Sequence, residues 1–153
     1  MVATELGSIT FEPVTREHLK LLEEWMQDPE SRAGVGGILP LDSWLEFVTG
    51  NDGQFARIVL DGAEPVGMVI VGLEDGEAAV ALLVAPEKRG RGYGKQILRE
   101  LVHQPEVASA RVFLAPIEPE HAASRKCFEA VGFRQEGIED GFLLYRWRPG
   151  DER

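Results

Sequence analysis

Val84-Ala85-Pro86-Glu87-Lys88-Arg89-Gly90-Arg91-Gly92-Tyr93-Gly94-Lys95 is the stretch whose reading decides the fold. An apolar run, Ala78 to Val84, leads into it, and an amphipathic one, Gln96-Ile97-Leu98-Arg99-Glu100-Leu101-Val102, leads out. That order predicts a buried strand, a turn carrying three glycines, and a helix. Glycines let backbone approach a ligand closely, and the free N–H groups of a helix start attract anions. Arg89, Arg91 and Lys95 put positive charge at the same point. The chemistry this suits is the holding of a pyrophosphate.

Spacing narrows the choice of pyrophosphate. A Walker loop places Ser or Thr after Gly-Lys, and Gln96 follows Gly94-Lys95 here. A dinucleotide fingerprint is Gly-x-Gly-x-x-Gly in the first strand–helix turn of a parallel sheet; glycines 90, 92 and 94 give Gly-x-Gly-x-Gly past mid-chain. What remains, Arg89-x-x-Gly92-x-Gly94, resembles the (Gln/Arg)-x-x-Gly-x-(Gly/Ala) acetyl-CoA loop of the GNAT N-acetyltransferases. A second segment, His121-Ala122-Ala123-Ser124-Arg125-Lys126-Cys127-Phe128-Glu129-Ala130-Val131-Gly132-Phe133, is similar to that family's Asn-x-x-(Ala/Ser)-x-(Arg/Lys)-x-Tyr-Glu-Lys-x-Gly-Phe helix. The likeness runs from about Ile9 to Trp147.

The resemblance implies a GNAT fold of α/β (α+β) class: a mixed, mostly antiparallel central sheet of about seven strands with helices on both faces. It implies acetyl-CoA as cosubstrate. Carried over by position, the backbone of Leu82, Leu83 and Val84 pairs with the pantetheine arm. Arg89, Gly90, Arg91, Gly92, Tyr93, Gly94 and Lys95 wrap the pyrophosphate, with Arg91 and Lys95 as its charge partners. Arg89 has a second reading, as a solvated surface charge. His121 and Ser124 complete the cofactor-binding set.

Two positions depart from the family pattern. His121 stands where the family has an Asn that bonds the pantetheine or nearby backbone. Phe128 stands where most members carry the Tyr that protonates the leaving thiolate, and phenylalanine donates no proton. Tyr93, Tyr145, Cys127 and a bound water are the candidate replacements, with Tyr145 as the candidate acid. Alternatively the CoA thiolate, whose parent thiol has a reference pKa of about 8.5, leaves unassisted. Glu77 is the candidate base for the amine, with Glu74 and Asp75 in the hairpin beside it. Cys127, a lone cysteine in a helix, reads as a small buried hydrophobe rather than a nucleophile.

Composition bounds the rest. At 153 residues the chain predicts one domain, 1–153 with a core of about 7–148, burying roughly 68–70% of its unfolded surface. Met1 to Glu5 lacks a signal-peptide pattern and no apolar run is long enough to span a bilayer, so a cytoplasmic protein with no membrane partner is expected. The single Cys127 excludes an internal disulfide, and His18 and His103 read as helix-surface residues without metal-ligand spacing, so no metal is expected. Residues 1–87 hold 16 acids against 4 bases; residues 88–153 hold 10 against 12. The acidic half disfavours nucleic acid and suits a cationic acceptor, or is simply a solvated surface.

Along the chain, Gly7 to Val14 reads as a strand and Thr15 as the N-cap of a helix that Asp28-Pro29 ends. Gly34-Val35-Gly36-Gly37 reads as flexible, and Leu41 to Phe47 as a helix capped by Asp42 or Ser43, with Trp44 a candidate cleft residue. Strands Gln54–Leu60, Val66–Leu73 and Ala78–Val84 follow, then a helix from Gly92, a strand Ala110–Ala115, a helix Pro119–Gly132, and a closing hairpin Arg134–Gly137 and Phe142–Trp147. The order is β-α-α-β-β-β-α-β-α-β-β. The ends, Met1–Leu6 and Pro149–Arg153, read as loose.

Pro105-Glu106-Val107 and the 124–133 stretch are similar to the aminoglycoside 6′-N-acetyltransferase branch, though the strand here runs into Ala85-Pro86 without that branch's acidic insert. The resemblance therefore implies an N-acetyltransferase for a small, cationic primary amine. Protein or peptide acetylation and a non-catalytic acyl-CoA sensor are the alternatives. Many members of the family pair as homodimers.

Overall fold

Alternating side chains of β-branched and aliphatic residues build a sheet with two buried faces. The computed structural model describes residues 8–35 and 38–151. Its strands are β1 (Ile9–Pro13), β2 (Gln54–Asp61), β3 (Glu64–Glu74), β4 (Glu77–Val84), β5 (Val112–Ile117), β6 (Arg134–Glu139) and β7 (Phe142–Trp147). Its α-helices are α1 (Leu19–Trp25), α2 (Pro29–Val35), α3 (Leu41–Thr49), α4 (Tyr93–Leu101) and α5 (Ala122–Ala130). The strands form one seven-stranded sheet, ordered β1-β2-β3-β4-β5-β7-β6. Every pairing is antiparallel except β4 with β5. This is the mixed, mostly antiparallel sheet the resemblance implied.

Hairpins set the register of the centre. Asp75 and Gly76 both take positive φ, 50° and 80°, in the two-residue turn that joins β3 to β4 with Glu74 opposite Glu77. The parallel contact is short. Glu77, Ala78 and Ala79 pair with Val112, Phe113 and Leu114, and beyond Ala79 the two strands part. β3 stays with β4 to the end, Gly67 opposite Val84, while β7 stays with β5 as far as Ile117.

Each face of the sheet carries its own core. One gathers Leu22 and Trp25 of α1, and Met26 just after it, with Trp44, Leu45 and Val48 of α3 against Ile58, Met68 and Leu83. The other packs Ile97, Leu98 and Leu101 of α4, all 1% exposed or less, with Val69, Val71, Phe113 and Tyr145. Burying each such aliphatic side chain contributes about 1.5–3 kcal/mol. Phe128 of α5 joins this second core edge-on to Phe133, with ring centroids 5.0 Å apart.

The N-terminal third differs from expectation. Asp28-Pro29 does not merely end a helix. α1 has closed by Trp25, and Pro29 opens α2, in whose first turn the Ser31 N–H donates to Asp28 Oδ2 at 3.0 Å. Asp28 thus serves as N-cap and Pro29 as first helical residue, the pairing that proline's fixed φ favours. Gly34 and Val35, read as flexible, lie in that helix; Gly36 and Gly37 fall outside the described residues, as do Met1–Gly7, Glu152 and Arg153. α3 is capped by the backbone at Pro40 rather than by Asp42 or Ser43. Trp44 is 8% exposed in the first core rather than in a cleft. His18 is partly buried, taking the Thr15 N–H on Nδ1 at 2.9 Å and facing Glu12 with Nε2 at 3.2 Å. Among the described residues no helix is long and apolar enough to cross a membrane.

Candidate active site

The parting of β4 from β5 opens the cleft. Leu83 turns its carbonyl towards β3, where a Cβ on Gly67 would meet it at 2.5 Å. Alternation then points the main-chain groups of Leu82, Val80 and Val84 the other way, into the gap β5 has left. A cleft of about 370 Å³ lies there. β4 contributes Leu82, Leu83 and Val84, the loop Lys88 to Gly90, α4 its first turn, α5 Ser124 and Cys127, and α2 Glu30 and Ser31.

The loop and α4 form the cationic end. Gly92 caps α4 at φ 89°, a left-handed conformation that bulkier residues resist. Glycine at 94 answers a different need. A Cβ there would stand 2.8 Å from Cys127 Sγ and 3.6 Å from both Leu82 and Val84, so Gly94 lets α4, α5 and β4 converge. No acidic side chain occupies the first turn of α4, leaving its N–H groups and Lys95 to face an anion. Lys95 and Lys126 line the cleft and form no ion pair among the described residues. Lys88, also lining it, is held by Glu64 at 2.8 Å.

Arg89 has another employment. Its Nη2 donates to Asp28 Oδ2 at 2.6 Å and to Ser31 Oγ at 3.0 Å, and its Nε pairs with Glu30 at 3.1 Å. The Arg89 hydrogen bond, with the Ser31 N–H, lowers the Asp28 carboxyl to about 2. Arg89 is therefore neither a free phosphate partner nor a solvated charge; it fastens the glycine loop to the cap of α2. Sequence reasoning missed this link. Its one local signal was Asp28 before Pro29, a helix start as well as a stop.

The structure brings together Leu82, Leu83, Val84, Arg89, Gly90, Gly92, Tyr93, Gly94, Lys95, His121 and Ser124 on the cleft wall. Arg91 is exposed and does not line it. Tyr93 contributes through its place at the start of α4, since its hydroxyl turns to Asp61, which does not line the cleft, at 2.5 Å. That bond, helped by burial, raises its pKa. Phe128 lies in the core at 2% exposure.

The candidate acid and base are not brought there. Tyr145 is fully buried; its hydroxyl donates to Glu129 at 2.6 Å and accepts from Arg125 Nε at 3.4 Å, outside the cleft. Burial first, then Glu129, raises its pKa. Glu77 opens β4, five positions before Leu82, so ~17 Å of strand separates it from the cleft. Glu74 and Asp75 share that remote end. Cys127 lines the cleft, with burial pushing its thiol up to about 11 against the pull of Lys95 and Arg99. Such a thiol is a poor nucleophile at neutral pH.

A sheet split between β4 and β5, with a glycine loop and helix start at the split, defines an acetyltransferase of the GNAT class. The family model of the acetyltransferase (GNAT) domain matches residues 8–134, and the chain belongs to that family. It is 36% identical over 136 residues to "Uncharacterized N-acetyltransferase YfmK" of Bacillus subtilis (strain 168), covering 87% of this chain and 92% of that one. Among solved structures, aminoglycoside acetyltransferase AAC(6′)-Ib in complex with coenzyme A and kanamycin superposes with a TM-score of 0.77 at 20% identity, covering 94% and 96% of the two chains. The N-acetyltransferase PseH of Campylobacter jejuni, in complex with acetyl coenzyme A, does so with 0.74 at 10% identity, covering 92% and 99%. At those identities the likeness is one of fold.

Proposed function

We propose that this protein transfers the acetyl group of acetyl-CoA to the primary amine of a small, cationic acceptor, by direct attack in a ternary complex. The observation that carries the reading is the gap beyond Ala79, with main-chain groups of β4 facing it and the start of α4 closing one end. An extended chain of amides fits along Leu82–Val84 as a strand would, and a pyrophosphate fits the N–H groups of α4 with Lys95 and Lys126 beside it. Fixing the thioester and the amine in one cleft replaces a bimolecular encounter by an oriented one, worth up to about 7–11 kcal/mol of barrier.

Two things support a cationic acceptor: the balance of 16 acids to 4 bases over residues 1–87, and a neighbouring fold that holds kanamycin. The test is thiol release from acetyl-CoA against aminoglycosides, polyamines, amino acids and short peptides, with calorimetry of CoA binding alongside. Turnover with one cationic small-molecule class is expected. Turnover with peptides alone moves the acceptor to protein. CoA binding without any turnover replaces the enzyme by a sensor.

A further inference from the structure

We propose that His121 is the proton-transfer residue of this cleft, accepting the proton that leaves the attacking amine and delivering it to the departing thiolate. The inference rests on the acetyl-CoA reading above. The fold leaves no tyrosine hydroxyl free to carry that proton. Phe128 has none, Tyr93 gives its own to Asp61, and Tyr145 gives its own to Glu129. Glu30 is held by Arg89, and Lys88 by Glu64. The His121 ring lines the cleft and makes no hydrogen bond or ion pair among the described residues.

Its placement is firm. The His121 N–H donates to the Glu118 carbonyl at 2.9 Å, and its own carbonyl takes the Arg125 N–H at 3.1 Å as the first bond of α5. The backbone is thus pinned while the ring stands over the gap. A Cβ built on Gly34 would lie 3.7 Å from His121 Cε1 and 3.3 Å from the Leu82 carbonyl oxygen, so the ring and the unpaired strand both lie against Gly34 of α2. Imidazole is the side-chain type that exchanges a proton near neutrality. Around the cleft, α2 offers Glu30; the glycine loop offers Lys88 and Arg89, both ion-paired; α4 offers Lys95; α5 offers Arg125, turned to Pro119 and Tyr145, with Lys126 and Cys127; the segment before α5 offers Glu118 and Glu120; the stretch of β4 that lines it, Leu82–Val84, offers no charge.

The step balances. The lone pair of a neutral amine forms the C–N bond, the proton on that nitrogen moves to the imidazole, and the C–S bond breaks with its electron pair on sulphur. The imidazolium returns the proton to the thiolate, giving amide and free thiol.

The test is the pH dependence of turnover in the unaltered protein and in His121→Asn, together with NMR contacts between the His121 ring, assigned by its loss in His121→Asn, and a 13C-labelled acetyl group of bound acetyl-CoA. A ring that carries the proton lies within reach of the reacting carbonyl and shows that contact. With an amine that is turned over, His121→Asn keeps the acetyl-CoA dissociation constant within threefold, lowers kcat by about 10²–10⁴, and flattens the acid limb of kcat. Absence of that contact in the bound complex overturns the proposal. So does His121→Asn that keeps kcat but weakens acetyl-CoA tenfold, the behaviour of a pantetheine ligand. Absence of acetyl-CoA binding by the unaltered protein removes the acetyl-CoA reading instead, and this inference with it.

Discussion

The guanidinium of Arg89 lies 2.6 Å from Oδ2 of Asp28, across 61 positions of chain, and that contact, with those to Ser31 and Glu30, joins the glycine loop to the start of α2. Asp28 Oδ2 already receives the Ser31 N–H. One carboxylate therefore sets both the start of a helix and the seat of the loop. Its ionised form is favoured in the folded protein, since its pKa falls from 3.8 to about 2. A depressed carboxyl stabilises fully above its unfolded pKa and ceases to as pH falls through the folded one. The gap in thermal midpoint between the unaltered protein and Asp28→Asn should shrink as pH drops from about 6 to about 2. A gap that stays constant over that range contradicts the assignment.

Removing Arg89 leaves Asp28 and Glu30 as bare charges near the pyrophosphate end. Arg89→Met should raise the acetyl-CoA dissociation constant about three- to tenfold through repulsion across a partly screened distance. Adding Asp28→Asn and Glu30→Gln to Arg89→Met should recover most of that loss, measured by calorimetry. Failure to recover would mean that Arg89 touches the phosphates itself.

Tyr145→Phe separates catalysis from packing. The hydroxyl points to Glu129 rather than the cleft, so thiol release should stay within about twofold while stability falls by about 1 kcal/mol, the ordinary net worth of one hydrogen bond. A large fall in kcat at unchanged stability would return Tyr145 to the reaction.

Cys127 should alkylate slowly. With its thiol pushed up to about 11, the rate with iodoacetamide should climb about tenfold per pH unit through the neutral range without levelling off. Acetyl-CoA should protect it, because the sulphur lines the cleft. A plateau below about pH 9 would show an activated thiol.

Gly94 and Cys127 should be coupled. Alanine at position 94 gains about 1 kcal/mol of helix propensity but drives its Cβ against the Cys127 sulphur. In thermal unfolding, Gly94→Ala should therefore cost more in the natural background than in a Cys127→Ala one. Additive effects would mean that the sulphur simply steps aside.

Local pattern carried most of the fold. β7 spans Phe142–Trp147, where the closing hairpin was read, and the strand–glycine loop–helix unit from Ala78 to Val102 formed as expected, because each element follows from neighbours a few residues away. The site was legible where it is built from that unit. The missing hydroxyl at Phe128 was also visible, since it is a matter of residue type. What stayed hidden depends on distant partners. Glu77 sits on the right strand, but only the register with Val112 shows that it stands at the wrong end. Tyr145 offers a hydroxyl in sequence, and only the fold commits it to Glu129. Asp28-Pro29 is ambiguous locally, because one dipeptide suits both a stop and a start.

The sheet is short by one strand's worth of bonding. From Val80 to Val84, β4 has a neighbour on one side only, and a pantetheine arm laid there would act as the absent member of the sheet. The protein then counts a metabolite among its structural parts. At a free concentration of about a hundred times the dissociation constant, such a ligand adds about 2.7 kcal/mol to the folded state. The cell's supply of activated acetyl groups would thus help decide how long each copy of this chain survives, apart from how fast it works.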